Sequence, residues 1–168
     1  MSGIFLGIGG NVGDRLKLLQ NVCVLIAAQI GPIIKASSVY ETEAWGETEQ
    51  ASFYNQVVQV QTKLNPQELL KICLKIEKQL GRTRAKKWSA RTMDIDILFY
   101  NNELIHEAGL HIPHPFLQER NFVLVPMAEI APHHIHPLLR KKMMTLLAHS
   151  TDTLTAKKVI TQSKLDTK

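Results

Sequence analysis

The chain has little that would fasten it covalently or carry it into a membrane. Among its 168 residues only Cys23 and Cys73 are cysteines. Both fall on the apolar stripes of expected helices, so buried reduced thiols are predicted and a disulfide is not. No cysteine spacing suits a metal. No stretch approaches the ~20 apolar residues that a membrane span needs, and the opening MSGIFLGIGGN lacks the basic region of a secretory signal. A cytoplasmic protein with no membrane partner is the expectation. Acidic residues are missing where basic ones concentrate: Arg82, Arg84, Lys86, Lys87 and Arg91 stand in RTRAKKWSAR with Trp88 among them and no acid. Such a block alone reads as a solvated surface.

What is present fits one domain. Hydrophobic residues make up 45% and charged residues 21%, enough for a real core in a chain of this length and too short for two comfortable domains. Residues 1–150 are read as that domain, and 151–168 as a loosely held polar tail. A formal charge of +5 favours anionic partners without distinguishing phosphate, nucleotide or nucleic acid.

Along the chain, Ile4 to Ile8 reads as a strand running into a turn-forming cluster at Gly9, Gly10, Asn11, Val12 and Gly13. Asp14 caps a helix from Arg15 to Ile30, stopped by Gly31-Pro32. Ala36 to Tyr40 and Phe53 to Thr62 are the next strand candidates. A second helix is clearly signed by Asn65 as cap, Pro66 in the first turn and Glu68 at the capping-box position, with Leu69, Cys73, Ile76 and Leu80 on one stripe and Gly81 at the end. Asp94 to Tyr100 is the fourth strand, and Asn101-Asn102 suits a tight hairpin into Glu103 to His106. Later, FVLVPMAEI and PLLRKKMMTLLAHS give short helices. The order strand, helix, strand, strand, helix, strand predicts an α+β ferredoxin-like sandwich, with the helices on one face of an antiparallel sheet and the other face free for a site.

RTMDIDILFY poses the chemical question. Alternation sends Met93, Ile95, Ile97 and Phe99 to one face and Asp94, Asp96, Leu98 and Tyr100 to the other. Two like charges on one face need a cation opposite them. Either Arg91 or water supplies it, or a magnesium ion does, since that ion is held by one or two carboxylates together with substrate phosphates. The basic loop lies one connection away from these acids, and fixed arginines grip phosphate bidentately. Metal-binding acids beside phosphate-binding arginines fit a polyphosphate. Phe53, Tyr54, Trp45 and Phe122 read first as core, yet Asn55 beside two of them offers the donor and acceptor that a flat heterocycle needs. His114 lies between Pro113 and Pro115. His133, His134 and His136 have no Cys or Asp at zinc-ligand spacing.

Several stretches in order resemble the pyrophosphokinases of folate biosynthesis, which move the diphosphoryl group of ATP to 6-hydroxymethyl-7,8-dihydropterin. They are GGNVGDR, SSVYETEAWG, QASFYNQV, EKQLGRTRAKKWSARTMDIDILFY and IPHPFLQERNFVLVPMAEIAP. The resemblance implies the same ferredoxin-like fold. It also implies two magnesium ions on Asp94 and Asp96, with ATP as co-substrate and Arg82 and Arg91 neutralising its phosphates. Thr42, Trp45, Phe53, Asn55, Trp88 and Phe122 would surround the pterin, its ring between Phe53 and Phe122. Glu77, Arg84, Trp88, Arg91, Ile97, His114 and Arg120 would belong to the nucleotide side. Glu43-Ala44 stands where the family often has prolines. A monomer that binds no nucleic acid is expected. Two other readings stay open: an RNA-binding domain with a basic loop, although the aromatic-glycine signature for base stacking is missing, and a metal-dependent phosphate hydrolase.

Overall fold

The computed structural model describes residues 2–44, 50–81 and 93–159. Strand β1, Ile4–Gly10, is buried along almost its whole length. Its even residues Ile4, Leu6 and Ile8 join one core layer, and Phe5 joins another on the opposite face. Gly9 and Gly10 belong to this strand, so the turn expected at Gly9 begins only beyond Gly10. Helix α1, Arg15–Gln29, starts where Asp14 accepts a hydrogen bond from the Lys17 N–H at 3.2 Å. It packs Leu19, Val22 and Ile26 beneath the sheet.

The predicted strand from Ala36 to Tyr40 is replaced by two short ones, β2 Ile33–Ala36 and β3 Tyr40–Thr42. Both pair with β4, Phe53–Val60. The break falls where the Ser37 hydroxyl takes the Val57 N–H at 3.0 Å, a bond that the backbone of a continuous strand would otherwise make. Helix α2, Pro66–Gln79, has the predicted capping box: Asn65 Oδ1 accepts the Glu68 N–H at 2.8 Å and Glu68 Oε2 accepts the Asn65 N–H at 2.8 Å. Strand β5, Asp94–Tyr100, lies on the other side of β1.

After β5 the chain turns at Asn101, where φ is 51°, but the hairpin expected there does not form. The Asn101 N–H instead continues the β1 pairing by donating to Gly3 O at 2.8 Å. The next strand, β6 Ile105–Glu107, pairs with β7 Leu110–Ile112. A 3-10 turn at Leu117–Glu119, helix α3 Asn121–Ile130 and helix α4 Met143–Ala148 follow. The tail is not loose up to Val159: Lys157–Lys158 forms β8, antiparallel to β3.

The main sheet runs β5-β1-β4-β3-β8, with β2 beside β3 on β4, and the pairings are antiparallel. With β2 and β3 counted as one broken edge strand, the chain shows the predicted ferredoxin-like α+β order. One face carries α1 and α2. The other face is not wholly free, because Leu117, Val123, Leu124, Met127 and Met143 cover Phe5, Val57, Leu98 and Phe99. What stays open is the end of that face toward Gly7 and Gly9.

Candidate active site

The open end exists because β1 has no side chains there. Gly7 and Gly9 share the face of Phe5, and the register sets Gly9 between Asn55 and Asp94, Gly7 between Val57 and Asp96. A Cβ on Gly9 would lie 2.2 Å from Asn55 Oδ1, and one on Gly7 would lie 3.3 Å from Leu98. The bare backbone is thus the floor of a cavity of about 110 Å³, walled by Asp94 and Asp96 from β5 and by Phe53 and Asn55 from β4. Thr42, Arg120 and Phe122 complete the rim. The sequence reading missed both glycines. Their spacing of two within an apolar strand, IFLGIGG, is the signal that marks a backbone approached closely from one face.

Asp94 and Asp96 share a face as predicted, but the alternation does not run to the end of β5. Leu6 pairs with Ile97 and Phe5 with Phe99, so Leu98 is an extra residue in a β-bulge. Beyond it the faces exchange: Phe99 joins Leu98 under α3, and Tyr100 packs on the side of α1 and α2. Tyr100 donates to Leu64 O at 2.5 Å on that side. The assignment of Phe99 and Tyr100 from simple alternation is therefore reversed, whereas the two aspartates precede the bulge and keep their places.

Asn55 and Thr42 are both buried, and Asn55 Nδ2 donates to Thr42 Oγ1 at 3.0 Å. That bond fixes the amide so that Oδ1 faces Gly9. Phe53 and Phe122 approach the cavity from β4 and from the first turn of α3, each half-buried. The Arg120 guanidinium lies 5.6 Å from the Phe122 ring centroid and 5.3 Å from that of Phe116. Glu43 also lines the cavity.

Three candidates lie off this cavity. Glu77 is 3% exposed on α2, and its Oε1 accepts the Ile95 N–H at 2.9 Å, between the two aspartates but from beneath the sheet. The Ile97 side chain enters the core under α1 and α2, which leaves only its main chain for a ligand. His114 takes up the loop after β7, its N–H donating to Leu98 O at 3.0 Å. Burial foremost, then Arg120 and His111, pushes its pKa down to about 4, so the ring is neutral near pH 7. Nδ1 accepts the Phe116 N–H at 3.4 Å, which places the proton on Nε2. Trp45, Arg82, Arg84, Lys86, Lys87, Trp88 and Arg91 lie outside the described residues.

The histidine cluster near residue 134 is structural. His134 packs against Phe5 and Phe99 with centroids 5.0 and 4.4 Å away, and His136 Nδ1 accepts the N–H groups of Leu138 and Leu139. Among the described residues no group of three His, Cys, Asp or Glu is arranged to hold a metal. No described helix is long and apolar enough to cross a membrane.

A glycine floor, paired carboxylates and an arginine at one cavity fit an enzyme of phosphate-group transfer better than a base-stacking platform. The face that such a platform would expose is covered in part by α3 and α4. The chain belongs to the 7,8-dihydro-6-hydroxymethylpterin-pyrophosphokinase (HPPK) family, whose model matches residues 5–132. It is 43% identical over 143 residues to a 2-amino-4-hydroxy-6-hydroxymethyldihydropteridine pyrophosphokinase of Aquifex aeolicus, covering 85% of this chain and 89% of that one. It is 44% identical over 127 residues to the Bacillus subtilis protein of that name, covering 75% and 76%. Among solved structures it superposes on an HPPK-DHPS in complex with substrates at a TM-score of 0.70 and 17% identity, over 88% of this chain and 44% of that chain. A Plasmodium falciparum HPPK-DHPS matches at 0.69 and 17%, over 88% and 43%. The chain thus spans under half the length of those solved proteins. It is a pyrophosphate-transferring enzyme of folate biosynthesis.

Proposed function

We propose that this cavity binds 6-hydroxymethyl-7,8-dihydropterin beside ATP, and that the pterin hydroxymethyl oxygen attacks the β-phosphorus in line. The bond from the β-phosphorus to the oxygen bridging it to the α-phosphorus breaks, AMP leaves, and the β and γ phosphates stay together. The observation that carries this reading is the register setting Asp94 and Asp96 on one side of the Gly7–Gly9 floor and Asn55 on the other. The carboxylate side serves the phosphates, and the amide side serves a flat polar ring.

Asp94 and Asp96 fit magnesium: both are hard oxygen donors lining the cavity, and no third protein ligand joins them among the described residues, which leaves room for phosphate oxygens and water. Two magnesium ions held there would screen the phosphates and polarise the reacting oxygens. Arg82 and Arg91, which precede β5 in the sequence, are assigned to the charge that builds on the phosphates, and Arg84 to the nucleotide. Arg120 lends its charge from the cavity lining. His114, uncharged, contributes a hydrogen-bond donor to the nucleotide. Phe53 and Phe122 sandwich the pterin, and Trp45 and Trp88 are assigned to it as well. Thr42 Oγ1 already accepts from Asn55, so its own proton is directed elsewhere, and Asn55 presents a fixed amide edge. Positioning and charge neutralisation account for most of the catalysis, the hydroxymethyl proton passes to water, and no described residue is assigned as its base. The enzyme acts as a cytoplasmic monomer, with Glu77 and the Ile97 main chain supporting the nucleotide side.

The test is direct. AMP should appear only when ATP, magnesium and the reduced pterin are all present, and Asp96→Ala should reduce transfer at least about a thousandfold with an unchanged circular dichroism spectrum. Turnover by Asp96→Ala at a tenth of the wild-type rate rejects the metal assignment. Phosphate or diphosphate released without pterin would instead identify a hydrolase.

A further inference from the structure

Residues 150–159 lie beyond the segment that matches the family, yet they bond to α3 and to β3, the elements beside or bearing the lining residues Arg120, Phe122 and Thr42. Helix α3 has no acid in its first turn, and Arg120 before it makes no side-chain cap. Asp152 supplies what is missing: its Oδ2 accepts the Asn121 N–H at 2.8 Å, and its Oδ1 accepts the Leu154 N–H at 2.9 Å. The Asn121 side chain is engaged at both ends. Nδ2 donates to Asp152 O at 3.2 Å and to Leu154 O at 3.1 Å, and Oδ1 accepts from Ser150 Oγ at 2.7 Å. Farther on, Lys157 and Lys158 pair with Glu41 and Tyr40, and the Val159 N–H donates to Val39 O at 2.8 Å.

The residues on either side of Asn121 are Arg120 and Phe122, and β3 ends at Thr42; all three line the cavity. We propose that the segment from Ser150 to Val159 is a strap that sets the cavity's width, fixing Phe122 and Arg120 through Asn121 and fixing Thr42 through β3. Asp152 is then a positioning residue that touches no substrate. The inference rests on the reading of Phe122 and Thr42 as pterin walls, and its test separates the two.

In the full chain, Asp152→Ala should raise the pterin KM about five- to tenfold, the equivalent of one ordinary hydrogen bond, with kcat within about twofold. Asp152→Asn keeps an acceptor oxygen for Asn121 and should recover most of that loss. Val159→Pro removes the donor to Val39 and should raise the same KM by a smaller factor. Phe122→Ala, measured in parallel, must raise the pterin KM if the wall is a wall. A raised KM in Phe122→Ala with no change in Asp152→Ala overturns the strap, and no change in Phe122→Ala overturns the underlying site reading. If Asp152→Ala and Asp152→Asn lose kcat and melting temperature together at unchanged KM, the strap is structural only and the proposal fails.

A separate observation carries a second proposal. On the β6–β7 hairpin, exposed His106 and His111 sit directly opposite, with Nδ1 atoms 2.9 Å apart. Nitrogens about 2.0–2.1 Å from one metal lie about 2.9 Å apart when cis at a right angle and about 3.4 Å apart in a tetrahedron. We propose that the pair chelates a tetragonal divalent ion, copper(II) or nickel(II), through both Nδ1 atoms, the ring that donates in the pair moving its proton from Nδ1 to Nε2, with water at the remaining positions. Adding copper(II) alone should give one bound equivalent with nitrogen hyperfine splitting in its electron spin resonance spectrum. Loss of that equivalent in His106→Ala and in His111→Ala supports the site. Retention in both variants, or no bound copper in the wild type, overturns it.

Discussion

At the scale of single residues, the cavity owes its existence to atoms that are not there. Gly9 lies flat against the Asn55 amide, whose oxygen stands 2.2 Å from where a Cβ would be. Asn55 has nowhere to retreat, because it is 8% exposed and its nitrogen is bound to Thr42. Gly7 differs, because the atoms met there belong to the flexible end of Leu98 at 3.3 Å. Gly9→Ala should therefore distort the ring-binding edge, at a cost of about 1–3 kcal/mol, and raise the pterin KM by roughly ten- to a hundredfold. Gly7→Ala should raise it by no more than about threefold. Steady-state kinetics on both variants check this ordering, and equal KM values would mean that Asn55 does not read the ring. The same contrast explains a limit of the sequence. Gly9 and Gly10 resemble turn glycines when met beside Asn11 and Gly13, and only the partner strand shows that Gly9 is bare in order to admit Asn55.

At the scale of elements, the join between α2 and β5 decides where the two carboxylates point. Glu77 accepts the Ile95 N–H from under the sheet, so the residue between Asp94 and Asp96 is pinned by a side chain 18 positions earlier in the chain. Glu77→Leu leaves that buried N–H without its acceptor and should cost about 1–3 kcal/mol of stability, with a fall in kcat as the strand loosens. Glu77→Gln retains an acceptor oxygen and should keep both stability and kcat near the wild type. Urea denaturation and single-turnover rates measure the two quantities. If Glu77→Gln instead raises the ATP KM by about tenfold at full stability, its charge meets the nucleotide and the pinning role is secondary. Local signals announced α2 well, since the Asn65 and Glu68 box needs only neighbours. They failed on β2 and β3, because the break at Ser37 depends on Val57, and on the end of β5, because ILFY is apolar throughout and conceals which residue the bulge inserts.

At the scale of the molecule, most of the fold and the shared face of Asp94 and Asp96 were legible in the sequence, because strand alternation and helix caps act locally, whereas Phe53, Asn55 and Phe122 were brought together only by the family resemblance. The coverage of the second sheet face, the strap beyond Ser150 and the burial of Glu77 were not legible, since each depends on residues far apart in the chain. One consequence of that second layer concerns pH. His134 is buried against Phe5 and Phe99, Nε2 has no protein partner among the described residues, and burial foremost pushes its pKa from the ordinary 6.5 down to about 4. His114 is pushed down to about 4 as well, and His136 moves in the same direction. Between pH 6.5 and 4 the unfolded chain binds protons at these rings that the folded chain refuses. Stability therefore falls as pH drops through that window and stops falling from this source below it. His134→Phe removes one such ring at a place where a neighbouring cavity of about 190 Å³ gives the larger side chain room. The backbone bonds of residue 134 to Ala131 and Met143 persist in that variant. Its advantage over the wild type should be about 1–2 kcal/mol larger at pH 5 than at pH 8, or about 3–6 °C in melting temperature. Melting curves at the two pH values decide the matter: an equal fall in both proteins would mean that His134 takes up its proton in the folded state.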